Sequence, residues 1–228
     1  HVADTALVVD DKALAVSNGL VFYRRPERGA APGTVQRASV ATGGGEAAAG
    51  ISLDFDGPYF DATPDGRFVV FPSDSGDLVP DDTNFSGDVF VRDTVTGTTE
   101  RVNLGPGESQ TSGTSFGVGM SADGRFFAFS TFQSLVPEDQ NGNADVYVHD
   151  RLLNTTERVS GTPGGGDGSG GPPFILSTDA EDISADGRFV LFYSYYDNLV
   201  PNDTNGDYDL FVRDRLLETT ERVNLRDD

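Results

Sequence analysis

This sequence predicts an all-β chain assembled from four copies of a four-stranded antiparallel unit. Three observations predict it. Asp65-Gly66-Arg67-Phe68 recurs as Asp123-Gly124-Arg125-Phe126 and as Asp186-Gly187-Arg188-Phe189, at start-to-start distances of 58 and 63 residues. A second block, Asp88-Val-Phe-Val-Arg-Asp93, recurs as Asp145-Val-Tyr-Val-His-Asp150 and Asp209-Leu-Phe-Val-Arg-Asp214. Each unit closes on Thr-Thr-Glu-Arg-Val, beginning at Thr98, Thr155 and Thr219. Self-similarity at such a period marks supersecondary units that bury their apolar faces by stacking on one another.

The strands follow in order within each unit. The first runs into Asp-Gly, a tight hairpin signal because Gly tolerates positive φ. The second, Arg-Phe-Val-Val-Phe and its variants, is a nearly continuous apolar run, as expected of a strand buried on both faces. Leu-Val-Pro then leads into a loop, at Leu78–Pro80, Leu135–Pro137 and Leu199–Pro201. The third strand, Val-Phe-Val or a variant, is again apolar on both sides. The fourth mixes charge into the run and suits a half-wet outer edge. Its Arg lies 13 residues after the Asp opening the preceding block in all three units: 88 to 101, 145 to 158, 209 to 222. A fainter copy opens the chain, with Ala6–Asp10, Ala13–Val16, Leu20–Tyr23 and Thr34–Val40 in the four places. Sheets buried on both faces need identical neighbours, and radial stacking supplies them. The predicted fold is therefore a β-propeller of four-stranded antiparallel blades, four in this chain and the first degenerate; a solenoid is the alternative. The expected organisation is one domain over 1–228, with units near 5–45, 52–105, 115–163 and 178–226.

Composition narrows the function. The 228 residues carry 37 acids against 16 bases, a formal charge of −21. Such a surface repels phosphate backbones, which argues against nucleic acid as a partner. No apolar run reaches the roughly 18 residues of a membrane span, so no membrane insertion is expected. With no Cys, there is neither a disulfide framework nor a thiolate zinc site. An acidic, Lys-poor chain rich in Ala, Gly, Asp and Arg reads as a secreted bacterial protein, extracellular or periplasmic.

Taken together, Ser-Ala-Asp-Gly-Arg-Phe, Leu-Val-Pro, Asp-Val-Phe-Val-Arg-Asp and Thr-Thr-Glu-Arg-Val resemble the TolB-type, WD-repeat-like propeller blade of bacteria, over roughly residues 52–226. The resemblance implies the fold. It does not imply one activity, because such blades occur in enzymes, accessory proteins and binding modules alike.

The loops between second and third strands carry the most chemistry. They read Asp82-Thr-Asn84-Phe-Ser86-Gly-Asp88, Asp139-Gln-Asn141-Gly-Asn143-Ala-Asp145 and Asp203-Thr-Asn205-Gly-Asp207-Tyr-Asp209. Side-chain oxygens fall at positions 1, 3, 5 and 7 of each. Calcium takes six to eight oxygens, and alternate oxygen side chains on a tight loop can turn toward one point. The expectation is up to three structural calcium ions, held by these twelve residues. Asx turns that bond their own backbone are the competing reading. Asp93, Asp150 and Asp214, at position 12, lie a strand away and belong to the next hairpin turn.

Other candidates are weaker. His149 stands where the other units have Arg92 and Arg213, and reads as a neutral variant. His1 could begin a copper brace but lacks a second His. Tyr193, Tyr195 and Tyr196 form a cluster suited to burial between blades or to stacking on a sugar. Gly161–Pro173 is a Gly- and Pro-rich connection. The leading functional expectation is a non-catalytic binding module for a protein or a glycan. The alternatives are a glycoside hydrolase or polysaccharide lyase with funnel carboxylates, for which Asp54, Asp56 and Glu181 are the candidates, and a subunit of a larger propeller assembly. A homodimer would be the simplest such assembly.

Overall fold

The structure, a computed structural model, describes residues 7–9, 14–17, 20–23, 36–48, 60–170 and 178–224. Four antiparallel sheets of four strands follow one another along the chain, each in sequential strand order. Blade 1 comprises β1 (Leu7–Val9), β2 (Leu14–Ser17), β3 (Leu20–Tyr23) and β4 (Gln36–Arg37). Blade 2 comprises β5 (Asp61–Ala62), β6 (Phe68–Ser73), β7 (Asp88–Asp93) and β8 (Thr98–Arg101). A small hairpin, β9 (Leu104–Gly105) and β10 (Ser109–Gln110), precedes blade 3 and has no signature in the repeat. Blade 3 comprises β11 (Ser115–Met120), β12 (Phe126–Thr131), β13 (Asp145–Asp150) and β14 (Thr155–Arg158). Blade 4 comprises β15 (Thr178–Ile183), β16 (Phe189–Ser194), β17 (Asp209–Asp214) and β18 (Thr219–Arg222). The chain forms two compact units, His1–Val102 and Asn103–Asp228. The first holds blades 1 and 2, the second blades 3 and 4.

The Asp-Gly turns form as the sequence predicts. In each, the Gly N–H bonds the carbonyl three residues back, and Gly66, Gly124 and Gly187 have φ of 67°, 68° and 73°. The Asp side chain accepts from the hydroxyl two residues before it (Thr63, Ser121, Ser184) and from the following Arg N–H, closing the corner twice. The recurring Arg does more than cover the sheet edge. Arg67, Arg125 and Arg188 reach Asp93, Asp150 and Asp214 through Nε and Nη2, at 2.6–3.2 Å. Each also stacks over the adjacent Phe68, Phe126 or Phe189 at 4.6–4.8 Å. The same Asp accepts two backbone N–H groups of the β7–β8, β13–β14 or β17–β18 turn. One carboxylate thus ties two hairpins of a blade together, which places the position-12 acids in the turn, as the sequence predicts.

Middle strands are buried on both faces, as their unbroken apolar runs require: β6 is buried throughout and β7 everywhere but Arg92. In the second unit the packing of one blade on the next is explicit. Ala128, Val146, Val148 and Val159 of blade 3 share a cluster with Ala180, Ile183, Val190, Phe192 and Phe211 of blade 4. Each Val, Ile or Phe side chain among them contributes about 1.5–3 kcal/mol by leaving water. The first strands of these blades approach so closely that a Cβ at Gly119 would stand 2.9 Å from the Ile183 backbone nitrogen. Leu-Val-Pro also acquires a role. Leu78, Leu135 and Leu199 are buried against the aromatic pairs Phe71–Phe90, Phe129–Tyr147 and Phe192–Phe211, anchoring the loop that follows.

Candidate functional site

In blades 2, 3 and 4 the loop between the second and third strands folds on its central Asn. The Asn Oδ1 accepts the N–H of position 5, at 3.1 Å for Asn84–Ser86, 2.8 Å for Asn141–Asn143 and 3.1 Å for Asn205–Asp207. Its Nδ2 donates to the position-7 carboxylate, at 2.9 Å to Asp88, 3.1 Å to Asp145 and 2.9 Å to Asp209. These are Asx turns with a second anchor. Positions 1, 3 and 7 converge, while position 5 enters this network through its backbone.

The sequence reading missed a cation that the chain itself supplies. The Arg of the closing strand inserts its Nη1 between the carboxylates of positions 1 and 7. Arg101 lies 3.2 Å from Asp82 and 3.4 Å from Asp88. Arg158 lies 3.5 Å from Asp139 and 3.7 Å from Asp145. Arg222 lies 2.8 Å from Asp203 and 3.1 Å from Asp209. The constant 13-residue spacing was the available signal: β7–β8, β13–β14 and β17–β18 are hairpins whose register pairs Phe90 with Arg101, Tyr147 with Arg158 and Phe211 with Arg222. That pairing brings the Arg back beside the loop Asp.

The middle cluster is the most elaborate. Arg158 also meets Asp167 at 2.7 Å, a residue of the Gly-rich connection. The Tyr147 hydroxyl donates to Asp139, and Ser160 donates to Asp145 at 2.5 Å. Asp139 Oδ1 is buried with no hydrogen-bond donor. The described part of the connection is pinned to blades 3 and 4, with Asp167 accepting from Gln140 N and the Asn198 side chain bonding both Asp167 O and Ser169 N.

The electrostatics of the loops are incompletely balanced. Burial, then repulsion from Asp88, raises Asp82 above the usual carboxylate range despite Arg101. Burial pushes Asp145 up to about 7. Burial and the Asp209 charge raise Asp203. One guanidinium shared by two buried carboxylates leaves a negative charge over. The residues fit a hard cation in charge and in oxygen type. The Arg nevertheless stands against the same oxygens, and among the described residues no three His, Asp or Glu side chains converge as a ligand set.

The loop tips differ where their clamps agree. Position 4 is left-handed in all three, with φ of 58° at Phe85, 67° at Gly142 and 64° at Gly206. Gly adopts this conformation without penalty, whereas a bulky L-residue is an outlier there. Phe85 is nonetheless fully exposed. In blade 4 the Tyr208 ring meets Tyr193 and Tyr195 edge-on, at 5.7 and 5.0 Å. The expected trio therefore changes membership, because Tyr196 is buried and its hydroxyl accepts from Asn141.

The remaining candidates have structural surroundings. His149 is buried, burial pushes it down to about 4, and its Nδ1 lies 3.0 Å from the Thr156 hydroxyl. Arg92 and Arg213 bond the corresponding Thr99 and Thr220, so the variant keeps one partner of the position it occupies. Glu181 is exposed on β15, two residues from buried Asp179, which accepts from Ser130 and Tyr193. Asp54, Asp56 and His1 lie outside the described residues.

No family model and no curated protein matches the chain. Solved structures do. A TolB protein from Agrobacterium tumefaciens matches at 17% identity and a TM-score of 0.52, over 93% of this chain and 57% of its own. TolB from Acinetobacter baumannii matches at 15% identity and 0.49, over 91% of this chain and 38% of its own. The β-propeller domain of the Trilobed protease from Pyrococcus furiosus matches at 10% identity and 0.43, over 74% of this chain and 43% of its own. At these identities the likeness concerns the fold, and the chain spans little more than half of the first structure and less of the others. With the four sheets described above, the likeness to the first of these structures shows a β-propeller fold.

Proposed function

We propose that the chain is a non-catalytic binding module, working outside the cytoplasm, whose ligand is a protein or a glycan met by the tips of the Asn-centred loops. Phe85 carries this reading. An aromatic ring in open solvent contributes nothing to the core, and its left-handed backbone costs about 1–2 kcal/mol relative to Gly. Such a ring on a rigid loop is suited to anchor a partner, since exposed aromatics dominate binding surfaces. Identical clamps with different tips are the arrangement of a scaffold that varies its contacts. The test is retention on immobilised polysaccharides and proteins, comparing the wild type with Phe85→Gly. The variant is expected to fold with equal or greater stability and to lose binding. Release of reducing ends or unsaturated products from a bound polysaccharide would instead identify a hydrolase or lyase.

Calcium binding is a second reading, favoured by the charge left over in each loop cluster. A cation would draw on Asp82, Asn84 and Asp88, and on their counterparts Asp139, Asn141, Asp145 and Asp203, Asn205, Asp209, in competition with the Arg. Full occupancy at 100 times the Kd adds about 2.7 kcal/mol per site. Thermal melting in calcium and in EDTA tests it. Arg222→Gln should strengthen the calcium response, and an unchanged midpoint in both proteins removes the reading.

A further inference from the structure

In blades 2 and 3 a threonine of the outer strand seals the seam with the chain before it; in blade 4 it does not. The Thr99 hydroxyl donates to the Val40 carbonyl at 2.5 Å, and beside it Arg92 donates to the Ala41 carbonyl at 3.1 Å. The Thr156 hydroxyl donates to the Leu104 carbonyl. Val40 and Leu104 each lie three residues after the Arg that ends the preceding outer strand, Arg37 or Arg101. Gly161 holds that place after Arg158. Among the described residues, however, the side chains of Thr220 and Arg213 bond only one another, at 3.3 Å. The Gly-rich connection has turned on itself instead. Thr162 N–H bonds the Gly166 carbonyl at 3.0 Å, Gly165 N–H bonds the Thr162 carbonyl at 2.8 Å, and Arg158 Nη2 holds the Gly165 carbonyl at 2.8 Å. A pocket of about 240 Å³ is left at the seam. Blade 3 lines it with Glu138 and Glu157, blade 4 with Arg213, and the connection with Gly161, Thr162 and Gly165.

We propose that this pocket binds one neutral sugar ring, the terminal unit of a glycan. Its size suits a single small unit, since sites for drug-sized ligands begin at roughly 300 Å³. Its lining selects the chemistry. The Arg213 guanidinium has five N–H donors and no acceptor, the two carboxylates only accept, and the Thr162 hydroxyl does both. A sugar hydroxyl donates and accepts at one atom, so a ring of hydroxyls can use both kinds of wall at once. An anion would meet Arg213 but also Glu138 and Glu157. A cation would meet those acids but also the guanidinium. Lining of mixed sign therefore rejects either ion and keeps the neutral polyol. Arg213 is available for the task. Glu157 pairs with Arg215 at 2.5 Å, and Arg213 forms no ion pair among the described residues. Burial pulls Arg213 below its ordinary value, against the charges of Glu218, Glu157 and Asp214, so an added acceptor is favoured. The proposal goes beyond loop-tip binding. Every residue of the pocket belongs to the second unit, so Phe85→Gly leaves it untouched and the two readings fail separately.

Saturation-transfer difference NMR of the whole chain is the test, with the methyl glycosides of glucose, galactose and mannose as probes and glucuronate and choline as charged comparisons. At least one glycoside is expected to bind, with a Kd of about 1 mM for so small a ligand, and more tightly than either ion. Arg213→His gives blade 4 the residue that blade 3 holds at the same register position, and should weaken binding about 10-fold or more. Glu157→Ala changes the facing wall at an exposed position and should weaken it about 3-fold or more. Arg92→His makes the first substitution where a backbone carbonyl already holds the guanidinium, and should leave binding unchanged. Circular dichroism reports whether each variant folds. No signal from any of the three glycosides overturns the proposal. So does binding confined to an ion, or glycoside binding that Glu157→Ala and a folded Arg213→His both leave intact.

Discussion

Blades 3 and 4 have nearly the same repeat and different surroundings. Val159 and Val223 close the same motif, yet one is 1% exposed and the other 47%. Val148 and Val212 share a register position, yet only the first is sealed. The polar devices, by contrast, are the same in both blades: the Asp-Gly corner, the Arg–Asp fork, the Asn turn and the inserted Arg. A propeller blade therefore specifies its own sheet and loops locally, whereas its apolar faces are completed only by neighbours.

The largest expected effect contrasts the two faces directly. Val148→Lys buries an unpaired charge between sheets and should cost about 3 kcal/mol or more, unfolding the second unit. Val212→Lys can send its ammonium to solvent and should cost less than about 1 kcal/mol. Urea titration of the pair measures both; equal losses would mean that the faces are equally covered.

The inserted arginines should rank next. Arg158→Met strands Asp139, Asp145 and Asp167 around a guanidinium site only 3% exposed, and should cost about 3–5 kcal/mol. Arg222→Met removes a more open group, 18% exposed, and should cost clearly less. Melting temperatures of the two variants give the order, and a reversed order would contradict the charge accounting of the loops.

The fork sharpens the part that the blades share. The Arg188 hydrogen bonds hold Asp214 down to about 2, from an ordinary 3.8. A carboxylate depressed on folding stabilises above its unfolded value, and that contribution fades as pH falls from about 4 toward 2. Asp93 and Asp150 move the same way: burial opposes the shift, and Arg67 or Arg125 with the turn N–H groups overcomes it. Arg188→Gln should flatten this acid limb of the stability curve. A limb of unchanged slope would show that other acids govern it.

The smallest effect concerns the β7–β8, β13–β14 and β17–β18 turns, whose left-handed position holds Gly97, Asn154 and Glu218 at φ of 72°, 53° and 56°. Glu218→Gly should stabilise blade 4 by about 1 kcal/mol, by removing a Cβ from that conformation. Chemical denaturation detects it, and a destabilised variant would mean that the Glu218 side chain contributes more than its backbone costs.

The blades were legible because their determinants are local. The Asp-Gly corner, the unbroken apolar strands and the Leu that anchors each loop repeat at fixed offsets. The loops were half legible. Asn84, Asn141 and Asn205 do gather the carboxylates, but spacing alone does not say that a hairpin returns Arg101, Arg158 and Arg222 to them. Asp167 has no counterpart in the repeat and carries no signal at all. The exposure of Val223 is invisible for a different reason: its sequence context matches that of Val159, and only a neighbouring sheet distinguishes them.

The chain has no Cys, so single thiols can report each face without interference. Labelling rates of Val159→Cys and Val223→Cys, measured from dilute to concentrated protein, test the central comparison most directly. The account predicts that the thiol at 159 stays protected throughout, while the one at 223 reacts readily. Equal rates at the two positions, at every concentration, would contradict it.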